Sequence, residues 1–345
     1  MTEQSKPRST KDILENTRLS PILTSQLADM NLLPKGIIGF DWDNTLHHGV
    51  TTLHKSCLDM AIFQPFRESI TKDFMEDIKA GRYGTDGVEV EGYENWKRVG
   101  SLESIVNAIS GVFLNRKLTP QEHLKFDTHQ TANQCLPETQ AQARMTQETY
   151  EYLRGLMAQY KVYILTNNRE QILEAFVKET AIPELSQIGL PALSSMVMVA
   201  KDTPIYDSYR PNPLETAQET MDREKKREKP GTRGMTMAVA RTMQAYKTKL
   251  ETALKNDLDL QTICTKNNLK PADLIRYLLI RASHLDRLFV GDSVNSDGVV
   301  AHNMNKKMSI YDIDKTSSIS PFTGYIKAVQ KEDRLKKDLE SYTQK

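Results

Sequence analysis

The sequence predicts an α/β fold with a parallel sheet, and three observations support this prediction. Short runs rich in β-branched and aromatic residues lie at 37–40, 162–165 and 288–290, and polar residues follow each run at once. Such runs are typical of buried parallel strands. Residues 148–157 place apolar side chains at helical spacing just before the second run. Helix and strand therefore alternate, as βαβ units require.

Two further apolar runs, 196–200 and 308–313, complete a predicted sheet of five strands. In open parallel sheets, ligands bind in the crevice outside the carboxyl ends of the strands. Three polar segments come directly after predicted strands: Asp41-Trp42-Asp43, Thr166-Asn167-Asn168 and Gly291-Asp292-Ser293. We expect these segments to form the functional site.

The composition is that of a globular protein, with 345 residues of which 39% are apolar and 26% charged. Forty-six basic residues against 45 acidic ones give no electrostatic reason to expect nucleic acid or an anionic membrane as partner. Three cysteines without paired spacing fit a reducing compartment. No run approaches the roughly 18 apolar residues that span a bilayer. We expect a cytoplasmic protein, although secretion without a cleavable signal would leave no mark in the sequence.

More than a hundred residues separate the first two predicted strands, far more than the roughly 10–12 that a crossover needs. Residues 101–115 carry apolar side chains on one helical face. Residues 119–122, Thr-Pro-Gln-Glu, have the capping-box pattern with proline at the first helical position. We therefore predict a mostly helical inserted subdomain, about 51–145, that covers the site.

The remaining sequence divides into a core and its flanking segments. The predicted core comprises 35–50 and 146–330. A polar N-terminal segment, 1–34, precedes it, and a charged tail, 331–345, follows it.

A second unusual stretch, about 202–269, is interpreted as an extra insertion within the core. It begins with a loop rich in proline and charge, 202–230, and continues into an amphipathic helix, 235–254. Within this loop the cluster 223–229 has mixed charges and few apolar residues, so we expect it to be solvated.

Asp41 and Asp43 are two carboxylates spaced by one residue after an apolar strand, an arrangement that suits covalent phosphoryl transfer. The first carboxylate can attack phosphorus, while the second protonates the leaving oxygen and then activates water. Taken alone, residues 41–45, Asp-Trp-Asp-Asn-Thr, could instead form an Asx-type turn at a strand end.

The other strand ends favour the catalytic interpretation. Thr166 supplies a hydroxyl and backbone donors that could hold a phosphoryl oxygen. Asp292 and Asp297 match the preference of a hard cation for oxygen ligands. Four carboxylates near a dianionic phosphate would repel one another unless a divalent cation and a lysine neutralised them. Mg²⁺ and one lysine would meet that need.

Taken together, four segments resemble the ordered motifs of the haloacid-dehalogenase-like (HAD) superfamily: 40–46, 165–168, a Lys-Pro pair and 290–297. The resemblance covers the core, about 35–50 and 147–315, and says little about the insertions. It implies a Rossmann-like (HAD-like) parallel sheet with helices on both faces and a mostly helical inserted cap. An aspartate at position 43 resembles phosphatases and phosphomutases more than dehalogenases.

The resemblance also implies a role for each matching residue. Asp41 resembles the nucleophile and Asp43 the general acid/base, and both would be Mg²⁺ ligands, Asp43 through its main-chain carbonyl. The remaining assignments are phosphate binding by Thr166 and Asn167, Mg²⁺ binding by Asp292, and a supporting role for Ser293 and Asp297.

Two lysines compete for the phosphate-binding lysine of the motif. Lys229-Pro230 is followed by Gly234-Met235 and an amphipathic helix, as in many family members, yet it lies 63 residues before Asp292. Lys270-Pro271 lies 22 residues before Asp292, which is the more usual spacing. The residues that follow favour Lys229, and Lys270 stays open.

The sequence thus predicts a Mg²⁺-dependent phosphomonoester hydrolase that acts through an aspartyl-phosphate on a phosphorylated small molecule or a phosphoprotein. Three alternatives remain: a phosphoprotein phosphatase of the same mechanism, a sugar phosphomutase, and a non-catalytic phosphate-binding module. A cap that closes fully would argue for small substrates, whereas an open groove would admit a phosphoprotein.

Overall fold

Five parallel strands form one sheet in the computed structural model of the chain. The spatial order is β3-β2-β1-β4-β5, so the chain extends the sheet on one side of β1 and then returns to the other side. The predicted α/β class with a parallel sheet is confirmed. The strands are β1 Ile37–Phe40, β2 Lys161–Leu165, β3 Val197–Val199, β4 Asp286–Gly291 and β5 Lys307–Ile310.

The structure describes most of the chain between residues 19 and 310. The described residues are 19, 21–30, 32–34, 36–46, 52–90, 102–142, 145, 147–179, 196–204, 214–229, 231–266, 269–284 and 286–310. The last three residues of the fifth predicted strand, 311–313, and the predicted charged tail, 331–345, lie outside them.

Helices connect and flank the strands. A 3₁₀ helix spans Ala61–Phe66, and a single π-helical turn spans Val294–Gly298. The α-helices are α1 Pro21–Asp29, α2 Leu53–Asp59, α3 Lys72–Ala80, α4 Leu102–Leu114, α5 Pro120–Gln134, α6 Pro137–Gln142, α7 Gln147–Gln159, α8 Glu170–Glu179, α9 Ala217–Lys225, α10 Thr232–Asn256, α11 Leu258–Lys266, α12 Pro271–His284 and α13 Val299–Asn303.

Alternate residues of a strand point to opposite faces of the sheet, and both faces of this sheet are buried. Ile38 and Phe40 of β1 pack in a hydrophobic cluster with apolar residues of α7 and α8. Ile37 packs in a second cluster with residues of α1, α10, α11 and α12. Helices therefore cover the sheet on both sides, which explains why β1 reads as a continuous apolar run.

The predicted insertion at 202–269 needs correction, because its long helix belongs to the core. Helix α10 buries one stripe of side chains at helical spacing, including Met235, Ala238, Tyr246 and Leu250, in the cluster against the sheet. The Tyr246 hydroxyl also donates a hydrogen bond of 2.6 Å to the Leu32 carbonyl. The helix is thus part of the crossover from β3 to β4, not an addition to it.

The predicted loop at 202–230 is also wrong in part, because it contains helix α9. The Thr216 side chain accepts a hydrogen bond from the Glu219 backbone, and the Glu219 side chain accepts one from the Thr216 backbone. This capping box satisfies two backbone donors at the start of the helix. The same signal at Thr119 and Glu122 correctly predicts the start of α5.

The end of the predicted polar N-terminal segment is likewise part of the core. Leu23 and Leu27 lie one helical turn apart on α1 and are fully buried in the cluster beneath the sheet. Two leucines in a nine-residue helix give a weak sequence signal, because the other side chains around them are mostly polar or small.

The predicted insertion at 51–145 is mostly helical where it is described: it comprises α2 to α6 and the 3₁₀ helix, joined by turns, with one antiparallel bridge between Tyr83 and Glu89. Its apolar side chains form a third hydrophobic cluster, separate from the two at the sheet, with Leu53, Phe63, Ile78, Ile109 and Phe126 among its members. We call this region the cap. Among the described residues, no helix is both long enough and apolar enough to cross a membrane.

Gly39 and Gly155 allow a matched test of the packing. A Cβ atom at Gly39 would lie 2.3 Å from the Tyr163 ring, whereas one at Gly155 in α7 would meet nothing within 4 Å. We expect Gly39→Ala to lower the free energy of unfolding by about 1–3 kcal/mol through overpacking. Gly155→Ala should raise it by about 0.5–1 kcal/mol through helix propensity. Urea denaturation measures both, and changes of the same sign would contradict this account of the sheet.

Candidate active site

The site lies where the strand order reverses, outside the carboxyl ends of β1 and its neighbours. In doubly wound sheets this point forms a crevice between connections that leave in opposite directions. Asp41 follows β1 directly, Thr166 follows β2, and Asp292 follows β4. The structure therefore brings together the three predicted segments that are distant in sequence.

A buried lysine joins two of these segments. Lys229 Nζ donates one hydrogen bond to Asp41 Oδ1 and another, of 2.5 Å, to Asp297 Oδ1. Exposed fractions are 7% for Lys229, 5% for Asp41 and 0% for Asp297. One ammonium group thus bridges two carboxylates that come from the ends of β1 and β4.

Burial and neighbouring charges together determine the pKa values of Asp41 and Lys229. Burial raises the pKa of Asp41 well above its usual value, the Lys229 ammonium opposes this rise, and the Asp297 and Asp43 carboxylates add to it. Burial lowers the pKa of Lys229, but the Asp41 and Asp297 carboxylates outweigh burial and leave that pKa raised. The lysine therefore stays charged, whereas burial and the neighbouring carboxylates favour the protonated form of Asp41, and a further cation nearby would oppose that effect.

The turn after β4 fixes Asp297. The Ser293 backbone N–H donates to Asp297 Oδ2 at 3.1 Å, and the Asp297 N–H donates to the Ser293 carbonyl at 2.8 Å. A Cβ atom at Gly291 would lie 2.5 Å from the Asp297 carboxyl group, so only glycine leaves room for it. The two residues predicted to have a supporting role thus support each other.

Asp43 points towards the segment after β2. Its Oδ2 accepts a hydrogen bond of 2.7 Å from the Asn168 side chain and lies 3.5 Å from the Thr166 hydroxyl. The Thr166 hydroxyl in turn accepts from the Asn168 backbone at 3.0 Å. No role was predicted for Asn168 from the sequence, and the signal that could have indicated one is the amide-rich segment after a buried strand.

Asn167 holds the main chain of Lys229. Its side-chain oxygen accepts from the Lys229 N–H at 2.7 Å, and its side-chain nitrogen donates to the Lys229 carbonyl at 3.3 Å. The Asn167 side chain thus contacts the lysine backbone at both ends of its amide, and the phosphate contact of Asn167 stays a prediction. This pair of bonds places Lys229 beside the carboxylates.

Lys270, the other candidate lysine, does not lie at the site. It is exposed, and its carbonyl accepts the first backbone hydrogen bonds of α12. The usual spacing to Asp292 favoured it, but α10 and α11 lengthen the chain between Lys229 and β4 without moving Lys229 away. Of the two lysines, the structure brings Lys229 to the carboxylates.

Three carboxylates could hold a metal ion. Asp41, Asp292 and Asp297 can each offer one oxygen, and these oxygens lie within 4.8 Å of one another. The predicted ligand set was Asp41, Asp43 and Asp292. The Asp43 side chain is turned towards Asn168, and its main-chain carbonyl as a ligand stays a prediction.

A cavity of about 800 Å³ adjoins these residues. Asp43 and Lys229 line it from the core, α4 and α5 line it from the cap, and α9 closes another side. Its volume lies in the range of sites for small molecules, roughly 300–1,000 Å³. The predicted cap therefore contributes residues to the wall of this cavity.

Ion pairs join the cap to the core beside this cavity. Arg169 donates to Asp127 of α5 at 2.6 Å and also pairs with Glu224 and Asp202. Lys201 pairs with the same Asp127 at 3.0 Å. We call this group, with Glu228 at 3.6 Å from Lys201, the cap–core network.

The predicted solvated loop at 223–229 is wrong, because three of its charged residues are buried. Glu224 pairs with Arg169, and the Arg227 guanidinium donates to the Thr203 carbonyl at 2.7 Å. Lys229 reaches the carboxylates of Asp41 and Asp297. Charges that look solvent-exposed in sequence thus find partners on other elements.

No protein-family model, curated protein or solved structure matches this chain. The functional assignment therefore depends on the residues of the site themselves.

Removal of the buried ammonium should destabilise the fold in a pH-dependent way. In Lys229→Met the pKa of Asp41 should rise further above its unfolded value of about 3.9. The folded state then binds more protons than the unfolded state. Stability should then fall as the pH rises between those two pKa values. Near neutral pH we expect a loss of about 3–5 kcal/mol.

Guanidinium denaturation at pH 5 and pH 8, with a chelator present, measures this loss. The matched control is Lys270→Met, an exposed lysine beside a helix-starting proline, which should unfold like the parent protein. Equal stability of the two variants, or a loss in Lys229→Met that shrinks as the pH rises, would contradict the buried ion triad.

Proposed function

We propose that the protein is a Mg²⁺-dependent phosphomonoester hydrolase of the HAD type, with Asp41 as nucleophile and Asp43 as general acid/base. One observation carries this proposal: Lys229 Nζ contacts both Asp41 and Asp297, beside the crevice where the strand order reverses. A cation held between these carboxylates suits a site that receives a phosphate dianion.

Membership of the HAD superfamily is part of the proposal. The four segments that resemble its motifs come from the ends of β1, β2 and β4 and from the turn before α10. Their key side chains form one set of contacts in which Lys229 pairs with Asp41 and Asp297, and Asp43 with Asn168 and Thr166. The order and the convergence of the motifs both support the assignment.

The proposed reaction has two displacements. In the first, an Asp41 oxygen attacks phosphorus, and the bond from phosphorus to the leaving oxygen breaks as that oxygen takes a proton from Asp43. In the second, Asp43 accepts a proton from water, whose oxygen attacks phosphorus and releases Asp41. The hydrogen bond from Asn168 holds Asp43 in position for both proton transfers.

The donor set fits a Mg²⁺ ion, which prefers oxygen ligands. Asp41 and Asp292 would hold it with their side chains, and Asp43 with its main-chain carbonyl. Asp297 would support them, because both of its oxygens already accept hydrogen bonds, from Lys229 and Ser293. When bound, the ion supplies positive charge that offsets the clustered carboxylates and the phosphate.

Phosphate release from a panel of phosphate esters, including p-nitrophenyl phosphate, tests the proposal. We expect turnover that requires Mg²⁺ and falls by on the order of 10⁴ or more in Asp41→Asn. Asp259→Asn, which removes an exposed carboxylate on α11, should leave turnover unchanged. Thermal unfolding of each variant confirms that the fold is retained.

The covalent mechanism, the phosphomutase and the binding module give different results in this experiment. Full activity of Asp41→Asn would overturn the covalent mechanism. Transfer of the phosphoryl group to an added sugar, without release of phosphate, would indicate a phosphomutase. A folded protein that binds phosphate esters but turns over none of them would be a non-catalytic binding module.

A further inference from the structure

The cavity beside the catalytic residues has walls that differ in charge from the phosphate site. At one end lie Asp43 and Lys229, where the phosphoryl group would bind. The rest is lined by residues of the cap helices α4 and α5, by α9, and by Lys201 after β3. The leaving group of a phosphate ester would occupy this second part.

We propose that the cavity accepts a small phosphate ester whose leaving group carries an amino group. This inference rests on the proposed phosphatase function and names the substrate class of the same site. Two observations carry it: the described lysines of the wall are already paired, and carboxylates outnumber cations in the cap–core network.

Each lysine that lines the cavity has a carboxylate partner in the described part of the chain. Lys229 pairs with Asp41 and Asp297, Lys201 with Asp127 and Glu228, and Lys225 with Glu103. A second anionic group on a substrate would therefore have to displace one of these pairs.

His123 also lines the cavity, but its surroundings favour the neutral ring. Burial lowers the pKa of His123, and its Nε2 lies 3.1 Å from Asn107 Oδ1. Since the Asn107 oxygen accepts, Nε2 carries the proton of the neutral imidazole. His123 thus offers no positive charge to a leaving group near neutral pH.

The wall of the cavity carries more carboxylates than cations. Its lining includes six carboxylates and three lysines: Asp43, Glu103, Asp127, Asp222, Glu224 and Glu228, and Lys201, Lys225 and Lys229. The cap–core network, of which Arg169 and Asp202 are not lining residues, has the same imbalance. Its two cations, Arg169 and Lys201, face four carboxylates: Asp127, Asp202, Glu224 and Glu228. Burial raises the pKa of Glu224, opposed by Arg169 and Lys201. Even with Glu224 protonated, carboxylates outnumber cations. A ligand ammonium group would balance this charge, whereas a ligand carboxylate or second phosphate would increase it.

Two carboxylates of the wall are best placed to receive the amine. Glu228 immediately precedes Lys229 and lies 3.6 Å from Lys201, beyond hydrogen-bond distance. Asp222 on α9 accepts a hydrogen bond of 2.8 Å from Gln218, a neutral partner. Both line the cavity.

A third acceptor on the cap points to the same chemistry. Gln134 of α5 lines the cavity, and its side-chain oxygen is buried with no hydrogen-bond donor among the residues that the structure describes. A buried acceptor of this kind is costly unless a donor reaches it. An ammonium group or a hydroxyl of the leaving group would supply that donor.

Three esters of similar size and different charge test the proposal: 2-aminoethyl phosphate, propyl phosphate and phosphoglycolate. With Mg²⁺ present, we expect kcat/KM for 2-aminoethyl phosphate to exceed that for propyl phosphate, whose leaving group is uncharged, by about tenfold. Phosphoglycolate should have the lowest kcat/KM of the three. Calorimetric titration of Asp41→Asn with the same esters should give the same order of affinity, which measures binding independently of turnover.

The double variant Asp222→Asn/Glu228→Gln removes the two carboxylates. Within this variant, the ratio of kcat/KM for 2-aminoethyl phosphate to that for propyl phosphate should fall towards one. The control Glu251→Gln removes an exposed carboxylate that pairs with Lys247 on α10, and it should keep the parent ratio.

The outcomes separate the two levels of the proposal. Suppose that hydrolysis of p-nitrophenyl phosphate depends on Asp41 but 2-aminoethyl phosphate is not preferred over propyl phosphate. The substrate inference is then wrong and the phosphatase proposal stands. The same conclusion follows if the preference for 2-aminoethyl phosphate survives in the double variant. If no ester is hydrolysed and none binds, the proposed function is wrong, and the substrate inference is overturned with it.

Discussion

The contact of one buried ammonium group with two carboxylates is the interaction on which the site depends. Lys229 Nζ lies between Asp41 and Asp297, and without it two buried carboxylates would repel each other across the gap between β1 and β4. Three features hold the group in place. Asn167 binds both polar groups of the lysine backbone, Gly291 leaves space for the Asp297 carboxyl group, and α10 packs against the sheet just after the lysine. Fold and site are therefore specified by the same contacts.

The sheet and the polar side chains at its carboxyl edge could be predicted from sequence for a physical reason. Parallel strands are buried on both faces, so they read as uninterrupted apolar runs, and the polar residues directly after them mark the carboxyl edge of the sheet. Asp41, Thr166 and Asp292 each follow such a run, and each lies at that edge. The start of α5 could be predicted as well, because a capping box depends only on residues three apart in sequence.

Contacts between charges distant in sequence could not be predicted in this way. The segment 223–229 looks solvated, since nothing nearby in sequence shows that Glu224 meets Arg169 or that Arg227 donates to the Thr203 carbonyl. The residues after Lys229 favoured it over Lys270, but the spacing to Asp292 favoured Lys270, because spacing along the chain carries no information about a long helix that packs on the sheet. The sequence pattern shows that a segment is rich in charged residues. Which of these residues are buried depends on the elements that pack against the segment in the folded chain.

Covalent transfer to Asp41 is tested most directly by trapping the acyl phosphate. In the proposed mechanism Asp43→Asn lacks the base for the second displacement. Because p-nitrophenyl phosphate needs little protonation of its leaving group, the phosphoryl group should then accumulate on the enzyme. Borohydride reduces an aspartyl-phosphate to homoserine but does not reduce a free carboxylate. After quenching and reduction, peptide mass spectrometry should find homoserine at position 41. Unmodified Asp41 in a sample that has released a stoichiometric burst of p-nitrophenol would contradict the mechanism.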